Sequence, residues 1–113
     1  MARRLLLLAA FLASPAGVTA DQPADLLLPD LVAQGRMLFG ESCSYCHGED
    51  GIGGASGAPS LQGRADLTPA ELFDTITLGR INGMNIMPAW GEALGTEQRW
   101  ALVGFIRSMA GQR

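Results

Sequence analysis

The sequence predicts an all-α domain of three main helices joined by long irregular connections. Apolar residues recur at helical spacing in three segments, and the two longest connections between those segments are rich in glycine. We find no strand-like alternation of apolar and polar residues. The 113 residues, 48% hydrophobic and 17% charged, can build one modest core. This composition excludes both a multidomain enzyme and a disordered chain.

The N-terminal residues have the pattern of a secretory signal peptide. Arg3 and Arg4 precede an apolar run over 5–13, and small residues suited to cleavage end at Ala20. The run is much shorter than the roughly 20 residues that span a bilayer, so it does not predict stable membrane insertion. The expected organisation is a signal peptide over 1–20, a loose lead-in over 21–29 and one domain over 30–113.

The first predicted helix takes Asp30 as its cap and ends between Gly40 and Cys43. Its apolar face is formed by residues at spacings of i, i+4, i+7 and i+8, namely Leu31, Gly35, Leu38 and Phe39. The segment 48–57 that follows has five glycines in ten residues, which no regular element tolerates. We therefore expect a functional loop that wraps around another group.

The second predicted helix begins after Thr68, because Thr68, Pro69 and Glu71 have the pattern of a capping box with proline in the first turn. Its apolar stripe is Leu72, Phe73 and Ile76, and it ends near Gly79. After an irregular stretch, the third predicted helix takes Thr96 as its cap and Gly111 as its stop. Its apolar face is Leu102, Phe105, Ile106 and Met109.

Both cysteines and the single histidine of the chain lie together in Cys43-Ser44-Tyr45-Cys46-His47. At this C-x-x-C-H spacing two thiols can add to the vinyl groups of one haem while the histidine coordinates the iron. A redox-active disulfide would need a βαβ context, and a zinc site would need four protein ligands. A plain structural disulfide leaves the histidine and the thin core unexplained. The motif therefore predicts one covalently bound haem c on Cys43 and Cys46, with His47 as an iron ligand.

Methionine is the expected second iron ligand, because no second histidine is present and a thioether favours reduced iron. Met87 is the candidate, since it lies in an irregular segment and Pro88 keeps the chain there from coiling into a helix. Met84 is the competitor. Met37 and Met109 fall within predicted helices and are expected in the core.

These motifs resemble those of the small class I cytochromes c of the bacterial periplasm, and the resemblance covers residues 31–110. It is carried by Gly35, Phe39, Cys43-Ser44-Tyr45-Cys46-His47, Gly57-Ala58-Pro59-Ser60-Leu61, Met87-Pro88-Ala89-Trp90 and Leu102-Val103-Gly104-Phe105-Ile106. The resemblance implies the cytochrome c fold, with three main helices around one covalently bound haem. In that fold Gly35 and Phe39 would cross the last helix at Leu102 and Phe105.

The resemblance also implies roles for residues around the haem. The backbone carbonyl of Pro59 would accept a hydrogen bond from the far nitrogen of His47 and so fix the tautomer of the ring. Leu61 and Trp90 would wall the haem, with simple core packing as the alternative for Trp90.

The charge balance of the chain restricts its partners. All 8 basic residues are arginine, and they face 11 acidic residues, which gives a net charge of −3. Non-specific binding to nucleic acid therefore lacks its electrostatic basis. Arg64 and Arg80 are candidates for contact with the haem propionates, with exposed surface arginine as the alternative for both.

An iron with two protein ligands leaves no open site for oxygen or substrate, so the sequence predicts a monomeric periplasmic electron carrier and not an enzyme. Its partners would be redox proteins, with a dehydrogenase or membrane complex as donor and an oxidase or reductase as acceptor. The acidic surface favours a partner with a basic rim. Two alternatives stay open: a haem subunit bound permanently in a dehydrogenase, oxidase or reductase complex, and a gas-binding sensor in which Met87 leaves the iron open.

Overall fold

The structure is a computed structural model that describes residues 22–54 and 57–111. The expected signal peptide and its cleavage site lie outside the described residues. The described chain is helical with one small sheet. Its elements are α1 (Pro29–Ser42), α2 (Ser44–His47), α3 (Pro69–Leu78), β1 (Arg80–Asn82), β2 (Asn85–Met87) and α4 (Thr96–Ser108). None of these four helices combines the length and the hydropathy that crossing a bilayer requires.

Helix α1 begins at Pro29, one residue before the predicted cap. Proline suits the first helical position because the N–H that it lacks would have no partner there. Leu28 occupies the cap position without a side-chain hydrogen bond, so the prediction that Asp30 caps the helix is wrong. Asp30 instead lies in the first turn, where its negative charge interacts favourably with the helix dipole.

The core of the described chain is the crossing of α1 and α4. A Cβ atom on Gly35 would overlap the carbonyl oxygen of Ala101 and would lie 2.8 Å from the Cβ of Phe105. The rings of Phe39 and Phe105 meet edge to face with their centroids 5.1 Å apart. The helices therefore approach most closely at Gly35, with Ala101 nearest to it where the resemblance pointed to Leu102.

Helix α3 has the boundaries that the sequence predicts. The hydroxyl of Thr68 accepts from the backbone N–H of Glu71 at 3.2 Å, and the backbone N–H of Thr68 donates to the Glu71 carboxylate at 3.1 Å. This reciprocal pair satisfies two N–H groups that the first turn would otherwise leave without a partner. Gly79 ends the helix with a φ of 71°, a conformation that residues with a Cβ rarely adopt.

Helix α4 has different ends from those predicted. Its cap is Gly95, whose backbone N–H donates to the side chain of Gln98 at 2.9 Å. Thr96 does not cap because its hydroxyl accepts from the guanidinium of Arg99 at 3.3 Å. At the other end Met109, and not Gly111, is the cap residue, and its N–H donates to the backbone of the last turn.

Residues 80–87 form an antiparallel hairpin, so the prediction that the chain has no strand is wrong. Ile81 pairs with Ile86 across the hairpin, and Gly83 opens the two-residue turn with a φ of 61°. Glycine with positive φ at the first turn position is typical of a type II′ turn. Each strand has only three residues, and both isoleucines are exposed, at 77% and 70%. Because the strands are so short and carry apolar residues on an exposed face, they show no alternation of apolar and polar residues in the sequence.

The two helical methionines have different surroundings. Met109 is buried against the core, which confirms its prediction. Met37 is 58% exposed, so its assignment to the core is wrong. It lies two residues after Gly35, which places it about 200° around the helix from the residue that faces α4. The side chain of Met37 therefore points away from the crossing.

Replacement of Gly35 by alanine tests the crossing. We expect Gly35→Ala to lower the free energy of unfolding by about 2 kcal/mol or more, because the added methyl group forces the two helix backbones apart. Gly40→Ala is the matched control, since Gly40 is on the same helix and has open space around its Cα. The control should raise stability by about 0.5–1 kcal/mol through helix propensity. Equal effects of the two changes in denaturant unfolding would contradict the close approach.

Candidate functional site

The C-x-x-C-H motif forms a single helical turn at the end of α1. Cys43 caps the C-terminus of α1 and the N-terminus of α2, and its carbonyl accepts from Cys46 N–H at 3.2 Å and from His47 N–H at 3.0 Å. Gly48 ends the turn with a φ of 80°. Both cysteines are half-buried, and they are not joined in a disulfide. The motif therefore presents two thiols and one imidazole from one rigid turn.

The environment of Cys43 keeps its side chain a protonated thiol. Burial, and then the neighbouring charge of Cys46, raise the pKa of Cys43 to about 11. Cysteines that act as redox nucleophiles or bind metal as thiolates have a lowered pKa. The surroundings of Cys43 therefore disfavour a redox-active disulfide at this motif.

The imidazole of His47 is held as a neutral base. Burial lowers the pKa of His47 below its ordinary value, and the backbone of Pro59 raises it by a smaller amount. Nδ1 is buried and, among the described residues, has no partner at normal hydrogen-bond geometry. The Pro59 carbonyl is thus close enough to influence the ring without completing a bond to Nδ1. A neutral imidazole has a lone pair that can coordinate a metal.

A glycine-rich loop folds back over the motif. The backbone N–H of Gly53 donates to the carbonyl of His47 at 2.7 Å, and that of Leu61 donates to the carbonyl of Gly51 at 2.6 Å. A Cβ on Gly53, whose φ is 94°, would lie 2.6 Å from the carbonyl oxygen of Ala58. The loop needs glycine here because it packs against its own backbone just before Pro59.

The two candidate methionine ligands differ sharply in exposure. Met87 ends strand β2, is half-buried and packs against the core, whereas Met84 is in the turn of the hairpin and is 99% exposed. Gly79 lies directly beside Met87, because a Cβ on Gly79 would be 2.5 Å from the Met87 carbonyl oxygen. The backbone of Met87 is therefore confined by Gly79, and the side chain of Met84 has no packing around it.

The chain after Met87 is bound to the end of α3. The N–H of Trp90 donates to the carbonyl of Ile76 at 2.9 Å, and the N–H of Gly91 donates to the carbonyl of Thr77 at 3.1 Å. These two carbonyls belong to the last turn of α3, where no N–H group of the helix follows that could donate to them. Trp90 is half-buried and packs against the core.

The fold brings most of the expected site residues against one hydrophobic core. Four of them pack against the same buried cluster, namely Cys43, Leu61, Met87 and Trp90. The hairpin also reaches the glycine-rich loop, because a Cβ on Gly57 would lie 3.0 Å from the Asn85 side-chain oxygen. The segment with His47 and Pro59 and the segment with Met87 are thus parts of one continuous surface.

The two arginines named for propionate contact are in different situations. Arg64 forms two hydrogen bonds to the carboxylate of Asp66, at 2.9 and 3.1 Å, and through them lowers the pKa of Asp66. Arg80 pairs with Met87 across the hairpin. Within the described residues the side chain of Arg80 has no salt bridge, hydrogen bond or ring contact. Its guanidinium is therefore available to another group.

Some residues beside the site were not identified from the sequence. Asn85 approaches the glycine-rich loop, and Arg99 and Thr77 join α4 to α3 through a hydrogen bond of 2.7 Å. Gly83 followed by Met84 fits the glycine-first pattern of a two-residue type II′ hairpin turn, and this pattern could have placed Asn85 directly after the turn. The contact between Thr77 and Arg99 spans 22 residues and has no local signal.

The sequence and the fold both match known proteins. Residues 30–106 match the family model described as cytochrome c oxidase, cbb3-type, subunit III. The cbb3-type cytochrome c oxidase subunit FixP of Rhizobium meliloti (strain 1021) is 34% identical over 84 residues, which are 74% of this chain and 29% of that protein. This chain therefore spans less than a third of the length of that relative.

Two solved structures of c-type cytochromes have the same fold. XoxG of Methylobacterium extorquens AM1 superposes with a TM-score of 0.62 at 25% identity, covering 72% of this chain and 51% of that one. Cytochrome cL of Hyphomicrobium denitrificans gives a TM-score of 0.58 at 33% identity, covering 68% and 46%. The likeness thus extends over most of the described residues.

Replacement of Gly79 tests the defined position of Met87. We expect Gly79→Ala to destabilise the protein by about 1–3 kcal/mol more than Gly83→Ala, because the new methyl group would push against the Met87 carbonyl. Gly83 is the matched control: it also has a positive φ, but no atom lies within 4 Å of its Cβ position. Denaturant unfolding of the two variants measures the difference. Equal losses would mean that Met87 can move freely away from Gly79.

Proposed function

We propose that this chain, which belongs to the cytochrome c family described as subunit III of the cbb3-type cytochrome c oxidase, is a periplasmic one-electron carrier. It is a haem c electron-transfer protein. Haem c, when bound, supplies the exchange of a single electron between ferric and ferrous iron. The proposal adds that the chain moves between redox proteins and catalyses no reaction of its own.

The observation that carries this proposal is the turn from Cys43 to His47. Two cysteines that are not in a disulfide lie one helical turn apart, and the half-buried imidazole of His47, whose pKa is lowered by burial, follows at once. These residues fit covalent haem attachment through Cys43 and Cys46, with Nε2 of His47 toward the iron. The orphaned Nδ1 of His47 would then donate to the Pro59 carbonyl after a small movement of the loop, which would fix the tautomer.

Met87 is proposed as the second iron ligand. Its half-buried position against the core keeps its thioether in apolar surroundings, which suits a soft, neutral ligand. Met84 has no such surroundings, since almost its whole surface is exposed. With Met87 and His47 both as ligands, small molecules would be excluded from the iron, and the protein would be limited to electron transfer.

The remaining proposed site residues would surround the group and orient it. Leu61 and Trp90 are half-buried against the same core cluster as Met87 and would exclude water from the haem faces. Arg80 is proposed for the propionates, because its cross-strand partner is Met87 and its charge is uncompensated among the described residues. Arg64 is less suited, since Asp66 already occupies its guanidinium.

The charges of the surface support a basic redox partner. Asp66 is the only acidic side chain in a salt bridge within residues 22–54 and 57–111. The other carboxylates in this range form no ion pair and are exposed to an approaching protein, while four of the five arginines in this range have internal contacts. A partner with a basic rim would therefore be steered to this surface, and its binding would weaken with salt.

A second candidate function is that of a subunit held permanently in an oxidase complex. It is favoured by the similarity to a FixP subunit of a cbb3-type oxidase, although this chain spans only 29% of that protein. The proposed periplasmic location is common to both candidates. They differ in whether the chain leaves its partner between electron transfers.

Removal of Met87 tests the ligand assignment. We expect Met87→Ala to abolish the weak absorption band near the red end of the spectrum that a methionine–iron bond produces in the oxidised protein. The variant should also bind carbon monoxide in the reduced state, because the sixth position is open. Met84→Ala is the matched control and should keep the band. Retention of the band in Met87→Ala would refute Met87 as ligand.

Purification in mild detergent distinguishes a carrier from a fixed subunit. We expect the tagged chain to elute alone at moderate salt, and its electron-transfer rate with membranes to fall as ionic strength rises. Elution in a stable complex with oxidase subunits would establish the second candidate instead. A rate that does not depend on salt would contradict charge steering of the partner.

A further inference from the structure

We propose that Arg99 and Thr77 form a clamp that positions Met87 by holding the chain segment that follows it. This inference rests on the proposed role of Met87 as an iron ligand. It concerns how firmly that ligand is held, and the residues involved lie on α3 and α4, outside the expected ligand set.

Arg99, a residue of α4, binds the segment after Met87 and helix α3 at once. Its Nε donates to the carbonyl of Leu94 at 3.1 Å, Nη1 donates to the hydroxyl of Thr77 at 2.7 Å, and Nη2 donates to the hydroxyl of Thr96 at 3.3 Å. The guanidinium also lies 4.8 Å above the ring of Phe73. The planar group with five donors makes these contacts together, which a lysine cannot do.

Thr77 connects the guanidinium to the backbone beside Met87. Its hydroxyl donates to the carbonyl of Phe73 at 2.7 Å while it accepts from Arg99, so its orientation is fixed. The carbonyl of Thr77 accepts from the N–H of Gly91, and the preceding carbonyl accepts from Trp90. The clamp therefore holds the segment 88–94 in its middle, where Gly91 binds Thr77, and at its end, where Leu94 binds Arg99.

The place of Arg99 in α4 indicates a role beyond helix stability. It is the fourth residue of the helix, near the positive end of the helix dipole, where a cation is unfavourable. The hydrogen bonds that Arg99 donates offset this cost, and their acceptors are carbonyl and hydroxyl groups, with no carboxylate among them. The guanidinium of Arg99 therefore joins α3 and the segment after Met87 to α4 and, among the described residues, does not form a salt bridge.

The consequence for the site follows from local opening. A side chain that binds a metal is displaced when the chain segment beside it opens locally, and an external ligand then competes for its place. Met87 immediately precedes the clamped segment, and Gly79 fixes its other side. Loss of the clamp should therefore raise the fraction of molecules in which Met87 is displaced, with little change elsewhere in the fold.

The test uses the holoprotein and four variants. Arg99→Gln and Thr77→Val remove the clamp, whereas Thr77→Ser keeps the hydroxyl and should rescue it. Arg107→Gln is the matched control, because Arg107 also donates to backbone carbonyls, those of Ala65 and Leu67, but holds a different loop. The readouts are the dissociation constant of imidazole, the red absorption band, and hydrogen exchange of the amides of Trp90 and Gly91.

We expect Arg99→Gln and Thr77→Val to bind imidazole about tenfold more tightly than the wild type, which corresponds to the loss of about one hydrogen bond. The amides of Trp90 and Gly91 should exchange faster in both variants. Thr77→Ser and Arg107→Gln should match the wild type in these readouts, even where Arg107→Gln lowers the melting temperature.

The outcomes separate the clamp from the proposed function. A wild type with the red band, together with clamp variants that bind imidazole no better than Arg107→Gln, would refute the clamp alone. Equal gains in Arg99→Gln and Arg107→Gln would reduce the effect to general destabilisation and would also refute it. A wild type without the band would refute Met87 as ligand, and the positioning role of the clamp with it.

Discussion

The close crossing of α1 and α4 is the constraint on which the rest of the structure depends. Gly35 lets the two backbones touch, and Phe39 then packs on Phe105 one turn later. The ring of Phe39 is 6.1 Å from that of His47, so the same helix face that makes the crossing also supports the imidazole. Because Cys43 ends α1, the turn with both thiols inherits its position directly from the helix pair. The site is therefore as rigid as the packing beneath it.

The sequence predicted correctly a helix end that depends on interactions within a single turn. The capping box of α3 was predicted correctly because Thr68 and Glu71 satisfy each other within one turn. The cap of α4 was not, since the hydroxyl of Thr96 binds Arg99 and leaves the cap position to Gly95. The hairpin was missed because three-residue strands have no room for a period of two. In both cases the prediction was wrong because the structure depends on something that the apolar pattern does not show: a side-chain contact at the cap of α4, and the short length of the strands in the hairpin.

Some residues of the candidate site could likewise be identified from the sequence, and others could not. The spacing of Cys43, Cys46 and His47 is a chemical requirement of haem attachment and can be read without a structure. The difference between Met87 and Met84 was inferred from the following proline, and their burial supports that choice. The contact of Thr77 with Arg99 could not be inferred, because its partners are brought together only by the packing of α3 on α4. Sequence thus indicates which groups react, and tertiary packing determines how firmly they are held.

The internal use of arginine has a consequence for the behaviour of the whole molecule. Arg36 lies over the ring of Phe105, and Arg99 and Arg107 donate to backbone and hydroxyl groups. These three guanidinium groups are therefore held against the protein and do not extend into the solvent. The carboxylates are mostly at the ends of unpaired, exposed side chains. The potential just outside the surface is therefore more negative than the net charge of −3 suggests. On an anion-exchange column the protein should be retained like a more acidic one, with its counterions concentrated at its exposed carboxylates.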